Sequence, residues 1–156
     1  MTAATVGALL DRTVDVLDEL GRRYESLARE FERTDELAHE FAAFLAERER
    51  ETIAALAKYR TDEHPLALDT HVRLSSGFPF SAEDLAISEH PTLDELASIA
   101  ERADYLLDHL SERIKVYAAG YNLAEILAAL EQLVATRRRQ LAGALNEFEE
   151  HMPSTG

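Results

Sequence analysis

Apolar side chains recur at alternating steps of three and four along four long stretches of this chain, a spacing that places them on one face of a helix. In the first stretch Val6, Leu10, Thr13, Leu17, Leu20, Tyr24, Leu27 and Phe31 keep the rhythm without a break. The second runs Phe41, Leu45, Glu49, Thr52, Leu56 and Tyr59, so polar residues hold two of its inner places. The third runs Leu96, Ile99, Ala103, Leu106, Leu110, Ile114 and Tyr117. The fourth runs Leu123, Leu127, Leu130, Val134, Arg137, Leu141, Ala144 and Phe148, with an arginine in an inner place.

Capping signals mark the ends independently. Thr34 is placed to cap the second helix, with Asp35 and Glu36 in its first turn, where acids suit the helix dipole. Thr92 and Glu95 read as a capping box opening the third helix, and Asn122 with Glu125 opens the fourth after Gly120 stops the third. The expected helices span about 5–30, 35–60, 92–119 and 122–150. Residues 29–34 and 118–122 are short enough to make two antiparallel hairpins. Between the hairpins lies a connection over 61–91 that contains Phe78-Pro79-Phe80 and a short helix opening at Ser81. A helix of about 26 residues is roughly 39 Å long, so such a connection can return along a whole bundle. Its apolar content (Leu66, Leu68, Val72, Leu74, Phe78, Phe80, Leu85, Ile87) favours one that packs down. The fold class expected is all-α: one domain over 1–156, an antiparallel four-helix bundle with one long crossover between helices two and three.

Charge and composition narrow the function classes. The formal net charge is -14, which argues against nucleic acid, since phosphate binding needs a basic face. Among the basic residues Lys58 and Lys115 are the only lysines, which reads as genome bias or a saline habitat and not as a functional clue. Cysteine is absent, so there is no disulfide framework, thiol nucleophile or thiolate metal site. The opening MTAATVGALLDRTVD has neither the basic start nor the apolar run of a signal peptide. No stretch reaches the roughly 18 apolar residues of a membrane span. A cytoplasmic protein is expected.

Tyr24 to Phe31, Leu37 to Tyr59 and the entry Pro91-Thr92-Leu93-Asp94-Glu95-Leu96 resemble the ferritin and rubrerythrin superfamily, over roughly 8–149 of the chain. The resemblance implies a ferritin-like bundle with a di-metal centre. One Glu would come from each of helices one and three and a Glu-x-x-His from each of helices two and four. Aligned by the apolar rhythm, those six places fall on Leu17, Glu49, Thr52, Ala103, Arg137 and Gln140, and only Glu49 matches. Leucine and alanine cannot ligate, and an arginine repels a cation. No other Glu-x-x-His or inward His lies on a seam, so no metal ligand, no catalytic residue and no cofactor site is assigned.

Two placements of Arg137 stand open: the first of an exposed run Arg137-Arg138-Arg139, or, following the rhythm from Val134 to Leu141, an inward residue paired with Glu49. The second is preferred, because three consecutive residues span about 200° of a helix and cannot share one face.

Other groupings are weaker. Asp108, His109 and Glu112 are neighbours on helix three, as are His39 and Glu40 on helix two; both read as solvated faces. His64, His71 and His90 sit in the crossover, and the remaining tyrosines read as edges of the core.

The expected function is therefore a non-catalytic assembly or binding module, a homodimer through an outer stripe of Phe41, Phe44 and Ile53 with parts of the crossover. The alternative is an iron- or manganese-dependent oxidoreductase or iron-handling protein using other acids, Glu47, Glu49 and Glu51 among them. A third reading is a small-molecule carrier with a cavity near Leu17, Ala103 and Thr52.

Overall fold

The computed structural model describes residues 2–58, 71–74, 82–116 and 121–151. Four long helices form its body: α1 (Val6–Phe31), α2 (Glu36–Ala57), α3 (Leu93–Val116) and α4 (Tyr121–His151). A short 3-10 helix, Ala82–Leu85, lies in the connection where a helix opening at Ser81 was expected. The helical periodicity predicts no strand. One short ribbon is present, β1 (Thr2–Thr5) paired antiparallel with β2 (His71–Leu74), Thr2 opposite Leu74 and Thr5 opposite His71. It ties the start of α1 to the middle of the connection. No helix among the described residues is long and apolar enough to cross a membrane.

Each helix buries most of the face its rhythm marks; at Ile99 and Leu127, which are only partly buried, the fully buried places are Ala100 and Ile126. In α1, Val6, Leu10, Thr13, Leu17, Leu20, Tyr24 and Leu27 are buried and Phe31 is half-buried. The Thr5 hydroxyl caps this helix, accepting from the Ala8 N–H at 3.0 Å. Phe41, Leu45, Glu49, Thr52 and Leu56 are all buried in α2, together with Ala38, Ala42, Ala46 and Arg48. That width exceeds one seam, as befits a helix touching more than one neighbour. Burying one Leu or Phe side chain stabilises by about 1.5–3 kcal/mol, so a few dozen such residues set the core. Tyr59, Tyr117, Gly120 and the expected ends of helices two and three fall outside the described residues, as do Phe78-Pro79-Phe80, His64 and the side chains of His71 and Asn122.

The fourth helix begins at Tyr121, which puts Asn122 inside its first turn and not at its N-cap as expected, and two further caps differ from expectation. The N-cap of α2 is Asp35, not Thr34: Asp35 has extended backbone, and its Oδ1 accepts from the Ala38 N–H at 3.1 Å. The Thr34 hydroxyl turns back instead to the Glu30 carbonyl. At α3 the Thr92 hydroxyl accepts from the Glu95 N–H at 3.1 Å, which is one arm of the capping box. The other arm is diverted. The Glu95 carboxylate takes both the Ser88 N–H (2.9 Å) and the Ser88 hydroxyl (2.7 Å). Two donors on one residue outcompete a single backbone N–H, and the contact fastens the end of the connection to α3.

Contacts between helices locate them along one another. His39 Nδ1 lies 2.6 Å from the Ala28 carbonyl oxygen, joining α2 to α1. A Cβ on Gly21 would meet the Glu49 Cβ at 3.4 Å, so α1 and α2 approach closely there. Arg23 donates to the Ser88 carbonyl at 3.1 Å, fixing the connection against α1. Between α3 and α4, Asp108 pairs with Arg138 (3.3 Å) and Lys115 with Glu131 (3.8 Å). Phe41 is 1 % exposed, and its ring centroid lies 4.9 Å from that of Phe148 on α4. The expected outer stripe of Phe41, Phe44 and Ile53 is corrected accordingly: Phe41 is core, and Phe44 and Ile53 are half-buried against it.

Candidate functional site

Two arginines, two carboxylates and a threonine meet in the middle of this apolar core. Arg48 (2 %), Glu49 (0 %), Thr52 (1 %), Asp104 (2 %) and Arg137 (1 %) are all shielded from solvent. α2 supplies the first three residues, α3 the fourth and α4 the last.

Arg137 is the hub. Its Nη2 and Nη1 donate to the two oxygens of Glu49 at 2.8 and 3.1 Å, a bidentate fork. Its Nε donates to Asp104 Oδ1 at 2.7 Å, and Nη1 also reaches the Thr52 hydroxyl at 2.7 Å. Arg48 supplies the second cation. Its Nη1 donates to Asp104 Oδ2 at 3.0 Å and to the Arg137 carbonyl at 3.3 Å. Its Nη2 lies 3.8 Å from Glu49, close enough for attraction but not for a hydrogen bond. Thr52 completes the set by donating to the Arg48 carbonyl at 3.0 Å. With all four groups ionised, two positive and two negative charges sum to zero, the condition for keeping charges in a core.

The two guanidiniums are not equivalent. Burial acts to lower the affinity of Arg137 for its proton. The charges and hydrogen bonds of Glu49 and Asp104 outweigh burial and hold its pKa above the ordinary arginine value. For Arg48 burial comes first and the charge of Arg137 adds to it, so its pKa lies below the ordinary value despite Asp104 and Glu49. α1 contributes Tyr24, whose phenol is driven well above its ordinary pKa by burial and then by Glu49. The Tyr24 hydroxyl and the Arg48 Nε–H are buried without a hydrogen-bond partner.

The six places carried over from the ferritin resemblance are distributed unevenly. Glu49, Thr52 and Arg137 come together in the network, and Leu17 and Ala103 are fully buried among apolar neighbours. Gln140 is exposed, so its inner placement is corrected: the inward position one turn beyond Arg137 belongs to Leu141, 4 % exposed. A di-metal centre does not fit these residues. All four oxygens of Glu49 and Asp104 are engaged by guanidinium groups, and a divalent ion among them would meet two fixed positive charges. Among the described residues no group of three or more His, Cys, Asp or Glu is placed to hold a metal.

Arg48 and Asp104 were missed by a single-seam reading. Each belongs to a second seam that also steps by three and four: Leu45, Arg48, Thr52 and Leu56 on α2, and Ala100, Asp104, Leu107, Ser111 and Ile114 on α3, all of them buried. A helix packed against two neighbours shows two such seams, and an inward arginine beside an inward acid should prompt a search of the second.

The remaining candidates lie outside the core. Asp108 is tied to Arg138, His109 stacks on Tyr105 with centroids 6.4 Å apart, and Glu112 is exposed. Glu40, Glu51 and His90 are exposed, and Glu47 pairs with Arg50 at 3.3 Å. A surface groove of about 200 Å³ has Asp104 of the network in its lining, beside Arg138 and Leu141, whereas two others contain no network residue. One of about 450 Å³ runs between α1 and the 3-10 helix, and one of about 340 Å³ is lined by Phe41, Leu93, Ala97 and Phe148. No family model matches the chain, and no curated protein or solved structure is significantly similar to it.

Proposed function

We propose that this chain is a ferritin-like bundle that has exchanged metal chemistry for an internally paired charge network and serves as an assembly or binding module. The observation that carries the proposal is the commitment of every carboxylate oxygen of Glu49 and Asp104 to Arg48 or Arg137. Redox chemistry at a di-metal centre requires such oxygens to face the ions; here they neutralise two guanidinium groups.

The ferritin-like topology is supported by the order of the contacts. Gly21 meets Glu49 while Ala28 meets His39, so positions on α1 and α2 run in opposite directions. Asp104 meets Arg137 while Lys115 meets Glu131, so α3 and α4 do likewise. On α2 and α3 the positions rise together: Phe41 shares a groove with Leu93 and Ala97, and Arg48 reaches Ala100 and Asp104. Two antiparallel hairpins whose inner helices run parallel need one long crossover, as in ferritin-like folds. The pairing of β1 with β2 and the Arg23–Ser88 contact, which bring residues 71–74 and Ser88 of the connection to α1, support such a crossover. Fold alone does not assign function, and the proposal rests on the network.

Purification from iron- and manganese-supplemented medium, followed by elemental analysis and anaerobic Fe(II) titration, tests this reading. Less than a tenth of an ion per chain and an unchanged melting temperature on adding Fe(II) are expected. About two ions per chain, with oxygen consumed on exposure to air, would overturn it in favour of the oxidoreductase.

A further inference from the structure

Tyr105 and Val116 are the large hydrophobic side chains left in solvent among the described residues, 63 % and 71 % exposed. Both belong to α3. Positions 105, 109, 112 and 116 succeed one another at steps of four, three and four, so Tyr105, His109, Glu112 and Val116 form one stripe of seam-like spacing. The His109 ring lies nearly parallel to that of Tyr105, 9° between planes, and both His109 and Glu112 are exposed. Charges beside the stripe are already satisfied within the chain: Asp108 by Arg138, Lys115 by Glu131 and Arg102 by Asp84.

Read along the helix, the stripe runs aromatic, base, acid, aliphatic. Reversed about the point between residues 110 and 111, it is its own complement. Two α3 helices laid antiparallel across a two-fold axis at that point set Tyr105 on Val116 of the second copy and His109 beside Glu112 of the second copy. Each contact is made twice, as an isologous interface requires. We propose that the chain forms a symmetric dimer through this stripe.

Both the apolar and the polar members of the stripe contribute. Tyr105 and Val116 remove apolar surface from water, while His109 and Glu112 fix the antiparallel orientation. A net charge of -14 on each chain opposes association. At about 0.15 M salt that repulsion is screened beyond about 8 Å, so the local complementarity of the stripe prevails. One helix crossing makes a small interface, and the dimer is one that dissociates on dilution. The proposal rests on the assembly reading above and names the surface for it.

The absence of native cysteine makes disulfide trapping clean. Positions 105 and 116 are roughly 16 Å apart along one helix, well beyond disulfide reach, and in the antiparallel pair each is equally far from its own counterpart. Under mild oxidation a mixture of the Tyr105→Cys and Val116→Cys chains is therefore expected to cross-link into a heterodimer, while neither variant cross-links alone. Sedimentation should show the wild-type chain dimerising and Val116→Glu weakening the dimer at least tenfold. The melting temperature of the variant monomer should not change, since the side chain is exposed. Cross-linking of either variant alone to the same extent as the mixture, or a dimer indifferent to Val116→Glu, would refute this surface and leave assembly standing. A wild-type chain monomeric at the highest attainable concentration would refute this surface and self-assembly together, leaving only the binding arm of the proposed function.

Discussion

Replacing Arg137 by methionine keeps most of the aliphatic stem and removes the guanidinium at the centre of the core. The structure specifies what is lost: the bonds from Nε to Asp104 (2.7 Å), from Nη2 and Nη1 to Glu49 (2.8 and 3.1 Å) and from Nη1 to Thr52 (2.7 Å). It also specifies what is left. Asp104 keeps Arg48, whereas the nearest cation to Glu49 becomes Arg48 at 3.8 Å, without a hydrogen bond. One buried negative charge is then uncompensated, and breaking a buried pair from one side costs about 3–5 kcal/mol. At about 2–4 °C per kcal/mol for a chain of this size, the melting temperature should fall by roughly 6–20 °C. Urea unfolding followed by circular dichroism measures the free energy directly. Arg138→Met is the control, because Arg138 and Asp108 are 52 % and 42 % exposed and such a surface pair contributes about 1 kcal/mol or less. The double variant Glu49→Gln/Arg137→Met should recover part of the loss, giving a coupling of about 0.5–3 kcal/mol. If Arg137→Met costs no more than Arg138→Met, Arg137 does not neutralise a buried carboxylate and the network is wrong.

Further outcomes follow from the same contacts. Ultraviolet titration of the phenols should show Tyr24 silent near pH 10, where an ordinary tyrosine loses its proton. Because the folded chain holds that proton and the unfolded chain releases it, stability should decline as pH rises above about 10, at up to about 1.4 kcal/mol per pH unit from this group. Tyr24→Phe should remove that share of the slope, and an unchanged slope would contradict the assignment. Asp35→Ala should cost about 1 kcal/mol in chemical unfolding through loss of the α2 cap, and Thr34→Ala should cost only a few tenths; the reverse order would restore Thr34 as the cap. Substituting the network as a whole, with Arg48→Met, Glu49→Leu, Asp104→Leu and Arg137→Met together, should leave stability equal or about 1–4 kcal/mol higher, since paired buried charges stabilise little over apolar residues of similar volume.

The helices were legible because a 3.6-residue period and capping residues are local and independent, and they agree at nearly every boundary in view. The inward turn of Arg137 was legible for the same reason: Val134 and Leu141 fix the face it shares. What could not be read was where competing partners would go. Thr34 and Asp35 are both good caps, and only the extended backbone at Asp35 settles which one acts. Glu95 had a backbone donor within its own box, but the two donors of Ser88 arrive from outside the helix. Phe41 follows the core rhythm as readily as an outer stripe, and its contact with Phe148 depends on how helices distant in sequence cross. Arg48 and Asp104 were hidden because a single seam assigns each helix one neighbour, whereas Arg48 touches both α3 and α4.

The network itself is tested most directly by NMR of the arginine side chains in uniformly 15N-labelled protein. The Arg137 Nε–H, bonded to Asp104 and 1 % exposed, should give a resonance that persists at neutral pH and exchanges far more slowly with solvent than those of Arg138 and Arg139. Asp104→Asn should shift that resonance, whereas Asp108→Asn should leave it in place. An Arg137 Nε–H that exchanges as fast as its two neighbours would place the guanidinium in water and contradict the account.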